Sequence, residues 1–205
     1  MEKLRDEYNV SRETIENLIT FQNMVLEWND RFNLISKSSE SDCWNRHIID
    51  SLQLVKFMDK SANKVYDLGS GAGFPGIVLA IAAKELFPNL KVYLIESIRK
   101  KAKFLEEAKE KLKINVEIKN ERIENLAMPP ADIITSRALA SLDKLLEYSK
   151  PFCSSKTKLI FLKGEKWKEE IICAEKKWNI LYKAFESKTN NKGCVVYIEN
   201  IRRKK

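Results

Sequence analysis

Apolar positions along the chain change rhythm once. Between residues 11 and 35, Ile15, Leu18, Ile19, Leu26 and Phe32 fall mostly on one helical side, behind Ser11 and Glu13. That spacing predicts an amphipathic helix capped by Ser11. A second helical stretch is expected over 45–58, after the polar break S-K-S-S-E-S-D. From Lys64 onward, short apolar runs alternate with longer amphipathic ones. Strands are expected at 64–68, 91–96, 115–119, 131–136 and 157–162, with helices at 75–87, 98–113, 139–149 and 165–178. Such alternation marks a parallel sheet with helices on both faces. The end departs from it: 179–186 and 194–200 read as strands joined only by S-K-T-N-N-K-G, a link short enough to force an antiparallel hairpin.

The segment V-Y-D-L-G-S-G-A-G-F-P-G-I-V-L-A-I, residues 65–81, holds four of the six glycines. Glycine loses more conformational freedom on folding than other residues, so this crowding implies close backbone approach to a ligand. Gly71, Gly73 and Gly76 match G-x-G-x-x-G, and Glu96 follows at the end of the next strand, the arrangement of a dinucleotide site. Two neighbours oppose that ligand. Asp67 adds negative charge where a pyrophosphate needs positive potential, and Pro75 deletes an N–H from the helix start. S-adenosylmethionine is cationic, carries no phosphate and still has a ribose for Glu96. The absence of Lys-Ser or Lys-Thr after the loop excludes a P-loop.

Five parallel strands finished by a hairpin form the sheet of a class I methyltransferase, whereas a dinucleotide-binding Rossmann domain is parallel throughout. The expected fold is therefore α/β: a Rossmann-like, S-adenosylmethionine-dependent methyltransferase domain over 61–205, carrying an N-terminal helical extension over 1–60.

Charge sharpens the picture of the partner. The net charge is +8, and residues 151–205, ending R-R-K-K, hold the whole excess. A one-sided basic excess fits a polyanion such as RNA. No apolar run is long enough to span a bilayer, and the charged start M-E-K-L-R-D-E lacks a signal-peptide core, so a cytoplasmic protein is expected. Cys43, Cys153, Cys173 and Cys194 show no metal spacing and read as reduced thiols; no metal site is expected.

The candidate chemistry is sparse in bases. There is no Pro-Cys or Thr-Cys pair for cytosine C5 chemistry, and Met128-Pro-Pro-Ala precedes the fourth strand where an adenine-amino motif would follow it. The fourth strand ends in Ser136-Arg137-Ala138 and the fifth in Lys163-Gly164, at the sheet edge that lines a ligand crevice. His47, the only histidine, falls in the helical extension and reads as structural. Cations without a base suit a nucleophile with a free lone pair, such as guanine N7, driven by orientation and electrostatics.

W-N-D-R-F-N-L-I, R-H-I-I-D-S-L, D-L-G-S-G-A-G-F-P-G-I-V-L-A-I, E-S-I-R-K-K-A-K-F-L, E-R-I-E, S-R-A-L-A-S-L and L-K-G together resemble the ribosomal RNA small subunit methyltransferase G family, also called glucose-inhibited division protein B. The resemblance spans about residues 28–164. It implies methylation of guanine N7 in a conserved hairpin loop of 16S ribosomal RNA, with S-adenosylmethionine as methyl donor. The partner it implies is 16S RNA or the small ribosomal subunit. A monomer is expected. Carried over by position, the cofactor contacts fall on Gly69, Phe74, Ile123, Glu124 and Arg137, beside Asp67, Gly71 and Glu96. Arg137, Lys163 and Asn33 are the substrate-positioning candidates, and Ser36 stands where the family often has threonine. The alternatives are a methyltransferase of another substrate, an NAD-binding oxidoreductase, or a non-catalytic RNA-binding module.

Overall fold

The computed structural model describes residues 1–204; Lys205, the last residue of the basic tail, lies outside them. A short helix that the periodicity does not announce, α1 (Glu2–Tyr8), precedes α2 (Arg12–Asn29), whose N-terminus Ser11 caps through its side chain to the Thr14 amide at 3.2 Å. The helix expected to reach residue 35 stops at Asn29. The Asn29 Oδ1 atom accepts the amides of Leu34 and Ile35 at 2.7 and 2.8 Å, which turns the chain without a glycine or proline. After α3 (Lys37–Glu40), the expected 45–58 helix is a π-helical turn over Trp44–Ile49, a single α turn, α4 (Asp50–Leu52), and a 3₁₀ turn over Gln53–Phe57.

The alternating region then runs β1 (Lys64–Leu68), α5 (Gly76–Leu86), β2 (Lys91–Ile95), α6 (Arg99–Leu112), β3 (Val116–Lys119), β4 (Ile133–Arg137), α7 (Leu142–Ser149), β5 (Lys158–Lys163) and α8 (Trp167–Glu175). The terminal hairpin is β6 (Trp178–Glu186) and β7 (Cys194–Arg203). These bounds lie within a few residues of the expected ones, with β7 continuing to Arg203 rather than stopping at 200. One seven-stranded sheet has the order β3-β2-β1-β4-β5-β7-β6, parallel except where β7 pairs with β5 and β6.

Period-two alternation divides the core between the two faces of the sheet. Val65, Val92, Ile133, Ile160 and Val195 pack in the cluster that holds α2, α5 and the N-terminal turns, including Leu18, Phe21 and Leu52. Tyr66, Leu68, Ile134, Phe161 and Val196 pack on the other side with Leu145, Phe152 and Trp178. Residues 8–58 thus contribute to the same buried cluster as α5 and α6. Strand order reverses between β1 and β4, and the loops after these two strands leave the sheet at its C-terminal edge, where an α/β crevice forms.

Candidate methyl-donor and substrate clefts

The loop from β1 to α5 is shaped by its glycines and tied down by its neighbours. The amides of Gly69 and Ser70 donate to the Ile95 carbonyl at 2.9 and 3.0 Å, anchoring the turn to the end of β2. Gly69 has φ +69°, and a Cβ there would come within 2.6 Å of Leu139 Cδ1. Gly71 has φ +56°, yet a Cβ there would meet nothing nearer than the Gly69 carbonyl at 3.8 Å, so its missing side chain leaves open space. The Gly71 amide donates to Glu96 Oε2 at 2.9 Å, and the Ile98 amide donates to Glu96 Oε1 at 2.7 Å. The acid after β2 therefore holds both the glycine loop and the start of α6.

These elements enclose a cleft of about 550 Å³. Gly69, Gly71, Phe74, Glu96, Ile123, Glu124 and Arg137 all line it. Phe74 is buried between Phe21, 5.2 Å away, and His47, which stacks on it at 4.9 Å with a 20° interplanar angle. Each Glu96 oxygen accepts one amide and keeps a lone pair for a ribose hydroxyl. With the opening at Gly71 and apolar wall from Phe74 and Ile123, the residues fit S-adenosylmethionine.

Asp67 departs from its expected role. It is 0% exposed and absent from the cleft wall. Strand alternation aims it at α5, where its Oδ2 accepts the Gly76 amide at 3.2 Å and its Oδ1 accepts the Thr135 hydroxyl at 3.1 Å. Burial pushes its carboxyl up to about 6 despite those bonds. The N-terminus of α5, where a Rossmann site seats its pyrophosphate, is thus already filled by a protein carboxylate. That leaves a dinucleotide without its principal anchor.

Lys163 lines the larger of two adjoining clefts but is already engaged by the protein. Its side chain is 7% exposed, donates to the Ala140 carbonyl at 2.9 Å and pairs with Glu170 at 2.6 Å. It braces the segment after β4 together with Glu170, which in turn accepts the Leu142 amide at 2.7 Å, so it reaches the cleft with its charge paired. Asn33 is exposed and stands outside both cleft walls; Leu34, Ile35 and Ser36 line the smaller cleft instead. The turn at this helix end is braced by Asn29, four residues earlier.

Arg137 does reach the site. It lines the smaller cleft and a second, larger one of about 1060 Å³, and the two share Arg46, Arg137, Ala138 and Leu139. His47, expected to be structural, also lines the smaller cleft. Burial, Arg137 and Arg46 push its imidazole down to about 3, so it is neutral. Arg46, His47 and Asp50 come from R-H-I-I-D, whose tight grouping of charged and aromatic residues was the available signal. Asp50 meets Arg137 across 87 residues of sequence, and His47 meets Phe74 across 27.

The strand order is that of the class I S-adenosylmethionine-dependent methyltransferase fold, with the cleft at its usual edge of the sheet. Solved structures share the fold. A SAM-dependent methyltransferase from Aquifex aeolicus superposes with a TM-score of 0.59 at 21% identity, covering 81% of this chain and 94% of that one. An O-methyltransferase from Bacillus cereus in complex with SAH also gives 0.59, at 16% identity, covering 87% and 90%. A family model described as rRNA small subunit methyltransferase G matches residues 14–195. Proteins named ribosomal RNA small subunit methyltransferase G from Ruegeria pomeroyi and Gluconobacter oxydans are 41% and 40% identical. Each covers 95% of this chain, with 95% and 97% of the relatives' own lengths matched. The chain belongs to the ribosomal RNA small subunit methyltransferase G family.

Proposed function

We propose that this protein transfers the methyl group of S-adenosylmethionine to N7 of a guanine in a hairpin loop of 16S ribosomal RNA. The observation that carries the reading is a cleft shaped for the methyl donor, closed by Glu96 on the Gly71 amide, in a chain of this family. When bound, S-adenosylmethionine supplies an electrophilic methyl group on a sulfonium. Glu96 holds the ribose, Phe74 and Ile123 supply apolar wall, and Glu124 borders the adenine. The larger cleft adjoins at Arg137 and takes the target nucleotide. Guanine N7 has an in-plane lone pair and no proton to lose, so no side chain has to act as a base; the neutral His47 fits that requirement. Catalysis then rests on alignment of donor and acceptor.

The basic excess supports an RNA partner only in part. Lys163, Lys177, Lys183, Lys188 and Lys192 are each paired with a carboxylate. Binding should still weaken with added salt through the remaining cations, since each neutralised phosphate releases counterions. No helix among the described residues is long and apolar enough to cross a membrane. The reading includes a monomer acting in the cytoplasm, with residues 1–60 as a helical extension on a 61–205 catalytic domain.

The test is methylation of 16S transcripts and of 30S particles with radiolabelled donor, followed by mapping of the product by N7-specific strand cleavage. Methyl transfer to an exocyclic amine, or no transfer to either substrate, overturns the reading. Sedimentation of the purified protein tests the monomer.

A further inference from the structure

Asp50 joins three segments that are distant in sequence. Its Oδ1 accepts from Gln53 Nε2 at 2.8 Å and from the hydroxyls of Ser187 and Thr189 at 3.0 Å each. Its Oδ2 faces Arg137 Nε at 3.6 Å, and the two side chains are only 14% and 19% exposed. Gln53 extends the junction by accepting the Lys188 amide at 3.1 Å. One carboxylate therefore ties α4 to the link between β6 and β7 and to the end of β4.

The charges around Arg137 leave Asp50 as its counter-ion. Burial lowers the Arg137 pKa, Asp50 opposes that shift, and Arg46 reinforces it. His47, whose imidazole Arg137 helps to push down, is neutral. Arg137 Nη1 is buried with no hydrogen-bond partner among the described residues, so the guanidinium keeps a donor in hand where the two clefts meet. A buried cation stripped of its partner is strongly unfavourable and moves towards water. Ser187, Thr189 and Asn190 wall the larger cleft, and the Asp50 carboxylate ties the first two to α4 beside the Gln53 contact with Lys188.

We propose that Asp50 is a positioning residue for methyl transfer: its carboxylate sets the Arg137 guanidinium at the junction of the two clefts and docks the 187–190 segment as the wall of the substrate cleft. This rests on the reading that Arg137 contacts the methyl donor or the RNA. The two halves of the role separate by substitution. Asp50→Asn keeps an acceptor oxygen for Gln53, Ser187 and Thr189 while removing the charge opposite Arg137. Ser187→Ala combined with Thr189→Val does the reverse.

Single-turnover rates, KM for 16S RNA and amide hydrogen exchange of residues 187–193 test it in the full-length protein. Asp50→Asn should lower the rate at saturating donor and RNA by about tenfold, a usual scale for coupling within a charged contact pair, with exchange at 187–193 unchanged. Ser187→Ala/Thr189→Val should accelerate that exchange and raise KM for RNA more than it lowers the rate. In an Arg137→Ala background, Asp50→Asn should have little further effect. Wild-type kinetics in Asp50→Asn, or an undiminished Asp50→Asn effect on top of an impaired Arg137→Ala, overturns the positioning role alone. Full activity in Arg137→Ala removes the reading of Arg137 and the proposal with it.

Discussion

The Gly71 amide donates to the Glu96 carboxylate at 2.9 Å, so the acid at the end of β2 organises the loop that follows β1. The same carboxylate takes the Ile98 amide and faces the cleft, so it is a scaffold and, on the proposed function, a ligand group as well. Glu96→Ala should weaken S-adenosylmethionine binding by about 1.5–3 kcal/mol, the range for hydrogen bonds to a charged group. It should also loosen the Gly71 amide. Calorimetric titration reads the first effect and hydrogen exchange the second; unaltered affinity would move the ribose contact elsewhere.

Gly71 combines a left-handed backbone with an opening into the cleft. Gly71→Val should abolish donor binding while leaving a cooperative unfolding transition, with the backbone cost limited to about 1–2 kcal/mol. Gly69→Ala should fail differently, since its Cβ would strike Leu139 at 2.6 Å. Relief by Leu139→Ala would separate that clash from the backbone strain. Retained affinity in Gly71→Val contradicts the assignment of the loop.

Two groups whose pKa is shifted by burial give stability opposite pH slopes. The folded-state pKa of His47 is pushed down to about 3 from 6.5, so the unfolded chain binds more protons in that interval and stability falls as pH drops through it. Asp67 is pushed up to about 6 from a value near 3.8, so the folded chain binds more protons between them and stability rises as pH drops. The Asp67 contribution is on the order of 3 kcal/mol. Asp67→Asn should therefore make the protein more acid-sensitive between about pH 6 and 4, and His47→Phe less so. Urea midpoints across that range check both; unchanged slopes would contradict the burial of these groups.

The chemical step should be flat between about pH 6 and 8, because the acceptor loses no proton and His47 is already neutral. His47→Phe preserves an aromatic partner for Phe74 and should retain more activity than His47→Ala, which opens a void. Single-turnover rates decide it. A sharp rise through that window, lost in His47→Ala, would identify a base.

Periodicity alone located β1 at 64–68 and every later strand to within a few residues, because side-chain alternation and turn residues are local properties. The terminal hairpin was legible for the same reason: a seven-residue polar link permits only an antiparallel return. Glycine crowding and the downstream acid marked the loop that lines the smaller cleft, since few other demands put four glycines in eight positions. Tertiary contacts decided the rest. The helix after Ser11 ends at Asn29 because one side-chain oxygen captures two amides five and six residues on, a competition that propensity does not encode. Asp67 and Lys163 sit at the strand ends where ligand groups are expected, yet the Gly76 and Thr135 donors and the Glu170 carboxylate consume them. Whether a polar side chain serves a ligand or the fold depends on which partner reaches it first in space, and Asp50, 87 residues before Arg137 and 137 before Ser187, meets both only once the sheet has formed.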